Sequence, residues 1–260
     1  MQPKASRSGS RRLVQLKPPP RRFEKLDLPT VEVAVDSLFR VSRFNSGEPY
    51  FGRTAGNRFD DRARVKRRRF GTCYCGTDLE VAVAETILHD EMPKRGSFKI
   101  AWSEFANRYL VRFTGRKLIL ANLTGASLKM LAGDGSISTL IPYRLPQLWS
   151  MAIHTHPAKV DGILYMSRHV NDKQAAVIYD RARSELRLAS YTPLLKARDI
   201  RRVIADLKIS FEYRRGWRMR FHSVGQVCAF VVCLRMLPHC SRDKVKKGWP
   251  LCSVLGRMVD

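Results

Sequence analysis

Acidic residues are scarce in this chain of 260 residues: 23 Asp and Glu stand against 48 Lys and Arg, a net charge of +25. A field of that sign draws anions, whether nucleic acid, phosphorylated small molecules, an anionic surface or an acidic partner. Long hydrophobic runs are also missing. The most apolar stretch, Val224 to Leu237, is interrupted by Gln226 and Arg235 and is too short and too polar to span a bilayer. The first apolar residues are scattered among Arg, Lys and Pro, without the continuous core of a secretory leader. A cytoplasmic location follows as the expectation, with the six cysteines as thiols rather than a disulfide framework. There is no internal repeat and no βαβ alternation. With 44% hydrophobic residues, however, the chain has enough apolar surface to fold.

Residues 1–35 read as a basic, disordered tail interrupted by Pro18-Pro19-Pro20. Strands are predicted over Leu38–Val41, Gly71–Gly76, Tyr109–Phe113, Lys117–Ala121, Gly162–Met166, Gln174–Tyr179 and Leu186–Tyr191. Helices are predicted from Asp78, as N-cap, to His89, from Thr124 to Gly133, over residues 144–153, and from Asp199 to Arg214. The basic run 62–69 reads as a solvated loop between Phe59 and Phe70. The fold class is therefore α+β, with mixed short-stranded sheets and flanking helices. A catalytic domain is expected over residues 36–205, followed by an extension over 206–260.

Glu85 falls on the apolar side of its predicted helix, beside Val81, Ala82 and Leu88. A carboxylate there is paired, hydrogen-bonded or functional, because burying it bare is costly; helix geometry alone also admits a rim residue or the partner of a core arginine. Arg40 and Arg58 carry the planar fork that suits a diphosphate, or else form structural ion pairs. Tyr74 lies between Cys73 and Cys75 on a strand, facing away from both thiols, where it is a stacking platform or a core residue. Ser167, at a strand end, is placed to hold a ribose or phosphate oxygen. No Gly-x-Ser-x-Gly elbow surrounds it, which argues against a hydrolase nucleophile. His154-Thr155-His156 on alternate strand positions would share a face, but Ser167 and Asp172 come too late for a His-x-His zinc protease. The Cys228, Cys233, Cys240 and Cys252 group has no paired-ligand spacing either. No metal is expected.

In order along the chain stand Phe39-Arg40-Val41, Asn57-Arg58-Phe59-Asp60, Gly71 to Tyr74, Ala82-Val83-Ala84-Glu85-Thr86 and Asp161-Gly162-Ile163-Leu164-Tyr165-Met166-Ser167-Arg168. This series, over about residues 36–195, resembles the RES domain. The resemblance implies a fold similar to that of ADP-ribosyltransferase toxins, and a toxin of a bacterial toxin–antitoxin pair that degrades NAD by phosphorolysis or hydrolysis. It further implies Glu85 and Arg40 as catalytic residues and Arg58, Tyr74 and Ser167 as substrate-binding ones. NAD is then a substrate rather than a bound cofactor, inorganic phosphate a co-substrate, and an Xre-type antitoxin the protein partner. Two other readings are an ADP-ribosyltransferase acting on a protein and a non-enzymatic, basic nucleic-acid-binding module; nonspecific nucleic-acid binding would accompany such a charge in any case.

Overall fold

The computed structural model describes residues 16–212. Its centre is an eight-stranded sheet built from β1 (Thr30–Val33), β2 (Phe39–Ser42), β3 (Thr72–Gly76), β5 (Tyr109–Thr114), β6 (Leu118–Leu123), β7 (Gly162–Met166), β8 (Gln174–Tyr179) and β9 (Arg187–Pro193). The order across the sheet is β1-β6-β7-β8-β3-β2-β5-β9. Every pairing is antiparallel except β6 with β7. A separate parallel pair joins β4 (Phe98–Ala101) to β10 (Ile209–Glu212). Among the described residues there are five α-helices, α1 (Leu79–Ala84), α2 (Trp102–Ala106), α3 (Gly125–Leu131), α4 (Arg144–Thr155) and α5 (Ile200–Asp206), besides six short 3-10 turns. The α+β class is as the sequence predicts.

The central strands are apolar at nearly every position because both of their faces are covered. Ile163, Tyr165, Val177 and Tyr179 pack on one side, with Trp149 and Ile153 of α4. Leu164, Ala176, Ile178, Cys73 and Cys75 pack on the other, with Val111 and Phe113. Tyr74 packs with the first group, opposite its two cysteine neighbours, as a period of two requires. The edge strand β9 is mostly exposed, and only alternate residues of β1 are half-buried.

Several sequence expectations need correction. Residues 16–35 are not a disordered tail. Leu16, Phe23 and Leu28 are buried, the Trp149 indole donates to the Lys17 carbonyl at 2.8 Å, and β1 extends the sheet against β6. Three apolar anchors so widely spaced among basic residues and prolines leave no periodic signal. The expected helix Asp199–Arg214 stops at Asp206, and after a turn at Lys208 the chain becomes β10. There Ile209 and Phe211 alternate with polar residues and face the packed side, a period of two rather than 3.6. The domain edge expected at 205 thus cuts through this unit. Residues 1–15 of the expected tail, most of the expected extension and the Cys228, Cys233, Cys240 and Cys252 group lie outside the described residues. Among the described residues no helix is long and apolar enough to cross a membrane.

The feature that creates the site is a break between two neighbouring strands. β3 pairs with β8 over five positions, and β2 with β5 over four. β2 and β3 meet only at Phe39 and Gly76. Beyond that point they diverge, and the backbone polar groups on the facing edges need other partners.

Candidate active site

The diverging strands open a cleft of about 230 Å³, lined on one side by Arg40 and Val41 and on the other by Tyr74 and Cys75. Arg40 spans the gap: its Nη1 donates to the Tyr74 carbonyl at 3.0 Å, replacing the missing ladder bond. Its Nε donates to Glu48 Oε2 at 2.8 Å, and the Glu48 side chain is only 3% exposed. Glu48 is itself held, donating its N–H to the Tyr191 hydroxyl and accepting from the Tyr50 N–H. Arg40 is therefore built into the wall with one edge already paired.

Arg58 sits in the Asn57–Asp60 turn, which is fastened from several sides. Asp60, 1% exposed, accepts from Thr54 Oγ1, Asn57 N, Asn57 Nδ2, Thr72 Oγ1 and the Tyr74 hydroxyl. From α4, Gln147 donates to the carbonyls of Ala55 and Asn57, and Ser150 to that of Phe59. The Arg58 guanidinium donates through Nη1 to the Leu140 carbonyl at 2.9 Å and lies 4.6 Å over the Tyr143 ring. The residue is 7% exposed, yet its Nη2 has no partner. Burial lowers its pKa from the ordinary value, but a guanidinium stays charged at any physiological pH. A buried, unpaired cationic donor on a cleft wall is costly, and an anionic ligand would satisfy it.

Glu85 does not lie within a long helix. Asp78 caps α1 as expected, accepting from Val81 N at 2.8 Å, but α1 ends at Ala84 and Glu85 is its C-cap. Gly76 makes this tight entry feasible, since a Cβ there would lie 2.6 Å from the Ala82 nitrogen. No glycine or proline within the run marks the stop. The position aims the carboxylate into the cleft, where it is the only acidic side chain on the wall among the described residues. Ser167, directly after β7 and 1% exposed, donates to Glu85 Oε1 at 2.6 Å. The same hydroxyl accepts from the N–H groups of His169 and Val170, each at 3.2 Å. Ser167 thus stands behind Glu85, outside the cleft lining, and orients it.

Four of the five expected site residues line the cleft and the fifth braces one of them. Sequence reasoning missed Tyr143, Tyr165, His89 and Arg168, all in the lining. Tyr165 and Arg168 flank Ser167 within the same motif, so proximity in sequence offered a signal for them; Tyr143 and Glu48 offered none. Burial pushes the phenols of Tyr74 and Tyr165 well above their ordinary pKa, so both remain neutral donors. Cys73 and Cys75 are buried free thiols. The His154–His156 pair is not on a strand: it ends α4, with His154 stacked on Phe70 at 4.0 Å and His156 Nε2 3.2 Å from the Leu26 carbonyl. No group of three or more His, Cys, Asp or Glu is placed to hold a metal among the described residues.

The sequence model of the RES domain matches residues 37–199, a span that holds all five expected site residues. The chain belongs to the RES domain family. A relative described as the probable toxin y4kH, from Sinorhizobium fredii (strain NBRC 101917 / NGR234), is 28% identical to this RES chain over 117 residues, which is 44% of this chain and 91% of the relative. A solved chain in the crystal structure of the M. tuberculosis MbcT–MbcA toxin–antitoxin complex is 14% identical, with a TM-score of 0.48, over 68% of this chain and 92% of that one.

Proposed function

We propose that this RES chain is an enzyme that consumes NAD, cleaving the nicotinamide–ribose bond by phosphorolysis or hydrolysis, and acts as the toxin of a toxin–antitoxin pair with an Xre-type antitoxin as its partner. The observation that carries this reading is one fixed carboxylate, Glu85, braced by Ser167 in a cleft whose lining also holds three arginines and three tyrosines. Breaking the bond sends its electron pair to the nicotinamide nitrogen, which leaves neutral, and positive charge builds on the ribose. A carboxylate held in place stabilises that charge without reorganising. Phosphate or water then adds through oxygen to the anomeric carbon; water loses a proton in doing so. Arg58 supplies a donor for the diphosphate, and Arg40, already tied to Glu48, shapes the wall. A cleft of about 230 Å³ is smaller than the usual site for a whole small molecule, so it takes one end of the dinucleotide.

The test is incubation of purified protein with NAD, with and without phosphate, followed by product masses. Wild-type protein is expected to release nicotinamide and Glu85→Gln to release none. Intact NAD under both conditions refutes the reading.

A further inference from the structure

Beside Glu85 lies a cluster that the mechanism above leaves unused. Arg168 lines the cleft. A guanidinium has donors only, so whatever its nitrogens meet must accept. Its Nε donates to His169 Nε2 at 3.0 Å, and its Nη2 reaches His89 Nε2 at 3.4 Å. His169 thereby offers the lone pair of Nε2 and carries its proton on Nδ1. The other ring nitrogen of His89, Nδ1, lies 2.8 Å from Asp90 Oδ1. Burial holds His169 below its ordinary pKa against the pull of Glu85, while Arg168, His89 and Arg58 add to the lowering.

The arrangement differs from that of Arg40. Arg40 is neutralised by Glu48. Arg168 instead meets two imidazole nitrogens, and among the described residues no carboxylate forms an ion pair with it. An imidazole nitrogen that accepts fixes the direction of a guanidinium without cancelling its charge. That is what the capture of an anion requires: a pre-oriented cation with donors left over. Glu85, in the same lining, would repel a free carboxylate or phosphate from its own position.

We propose that Arg168 binds a phosphate oxyanion beside Glu85, and that His89 and His169 are positioning residues that orient it. The inference rests on the NAD-cleavage reading for its meaning: the oxyanion is then either the attacking inorganic phosphate or the diphosphate of the dinucleotide. The chemistry of recognition is the same for both.

Binding can be measured without turnover, by calorimetry at pH 8 with inorganic phosphate alone and with ADP alone. Wild-type protein is expected to bind at least one of the two, and Arg168→Gln to bind that probe at least tenfold more weakly. Loss of phosphate binding assigns the acceptor oxyanion; loss confined to ADP assigns the diphosphate. If Arg168→Gln does not fold, Arg168→Lys, which keeps the charge and loses the fork, is expected to show a smaller loss of the same kind. Failure of wild-type protein to bind either probe, or equal binding by the variant, overturns the proposal. Because the readout is binding, it stands whether or not NAD is cleaved. The positioning role is read from a pair of variants. His169→Gln keeps an acceptor and is expected to stay within about threefold of wild type, while His169→Leu loses about tenfold. Equal effects of the two overturn that part.

Discussion

Removing the Ser167 hydroxyl separates two roles that the sequence could not. In Ser167→Ala the carboxylate of Glu85 loses a donor 2.6 Å from Oε1, and the N–H groups of His169 and Val170 lose their acceptor. A hydrogen bond to a charged group contributes about 1.5–3 kcal/mol. If that bond holds Glu85 where charge develops, and does not touch substrate, its loss falls on the chemical step. At about 1.4 kcal/mol per factor of ten, kcat should drop roughly ten- to 150-fold with KM within about twofold. The two half-buried N–H groups left without an acceptor should also destabilise the fold by about 1–2 kcal/mol. Steady-state NAD cleavage gives the first pair of numbers and chemical denaturation the last. A raised KM with unchanged kcat would mean that Ser167 binds substrate directly, and unchanged kinetics would mean that Glu85 needs no brace; either outcome refutes the argument.

Arg58→Met should cost little stability, or add up to about 1 kcal/mol, because it removes a buried unpaired donor along with one good hydrogen bond; NAD binding by the same variant should weaken at least tenfold, and denaturation and binding curves measure the two effects. Asp60→Ala strips five donors of their acceptor, so a loss of about 3–5 kcal/mol is expected in denaturation. The pKa of His154 is lowered to about 4, first by burial and then by Arg181, below the ordinary value of 6.5. The unfolded chain therefore binds the extra proton first, and stability falls as the pH drops from about 6.5 to about 4. Discounted for solvent screening, the loss is about 1–2 kcal/mol. His154→Phe should flatten that part of the pH–stability curve, measured by denaturation across this range, while keeping the stack on Phe70.

Local patterns in the sequence foretold the strands that carry the site, the Asp78 cap and the opposed faces of Tyr74 and its cysteine neighbours. Each of these depends on residues within one or two turns of chain. What stayed hidden depends on residues far apart. Glu48, expected only as part of a loop, neutralises Arg40 because Tyr191, 143 positions later, holds its backbone. Leu16 and Phe23, expected in a tail, are ordered because Trp149 offers them a surface. The stop of α1 at Ala84 goes together with a bond from a serine 82 positions away.

The cleft is the sharpest case, because no residue in it announces it. Continuous pairing of β2 with β3 would set Arg40 opposite Cys75 and Val41 opposite Tyr74, with no room between them. Instead a single registered pair is kept, and the ladder bond that would have reached the Tyr74 carbonyl is made by the Arg40 side chain. An arginine in a short strand, which reads as either a diphosphate binder or a structural ion pair, is thus chiefly the strut that keeps two strands apart. On that view Arg40→Met should do more than weaken a ligand contact. It leaves the Tyr74 carbonyl without its donor and the buried Glu48 carboxylate without its counter-charge at once. Its cost in stability should therefore exceed that of Arg58→Met by about 2 kcal/mol or more in denaturation. Equal costs would mean that the strands stand apart without it.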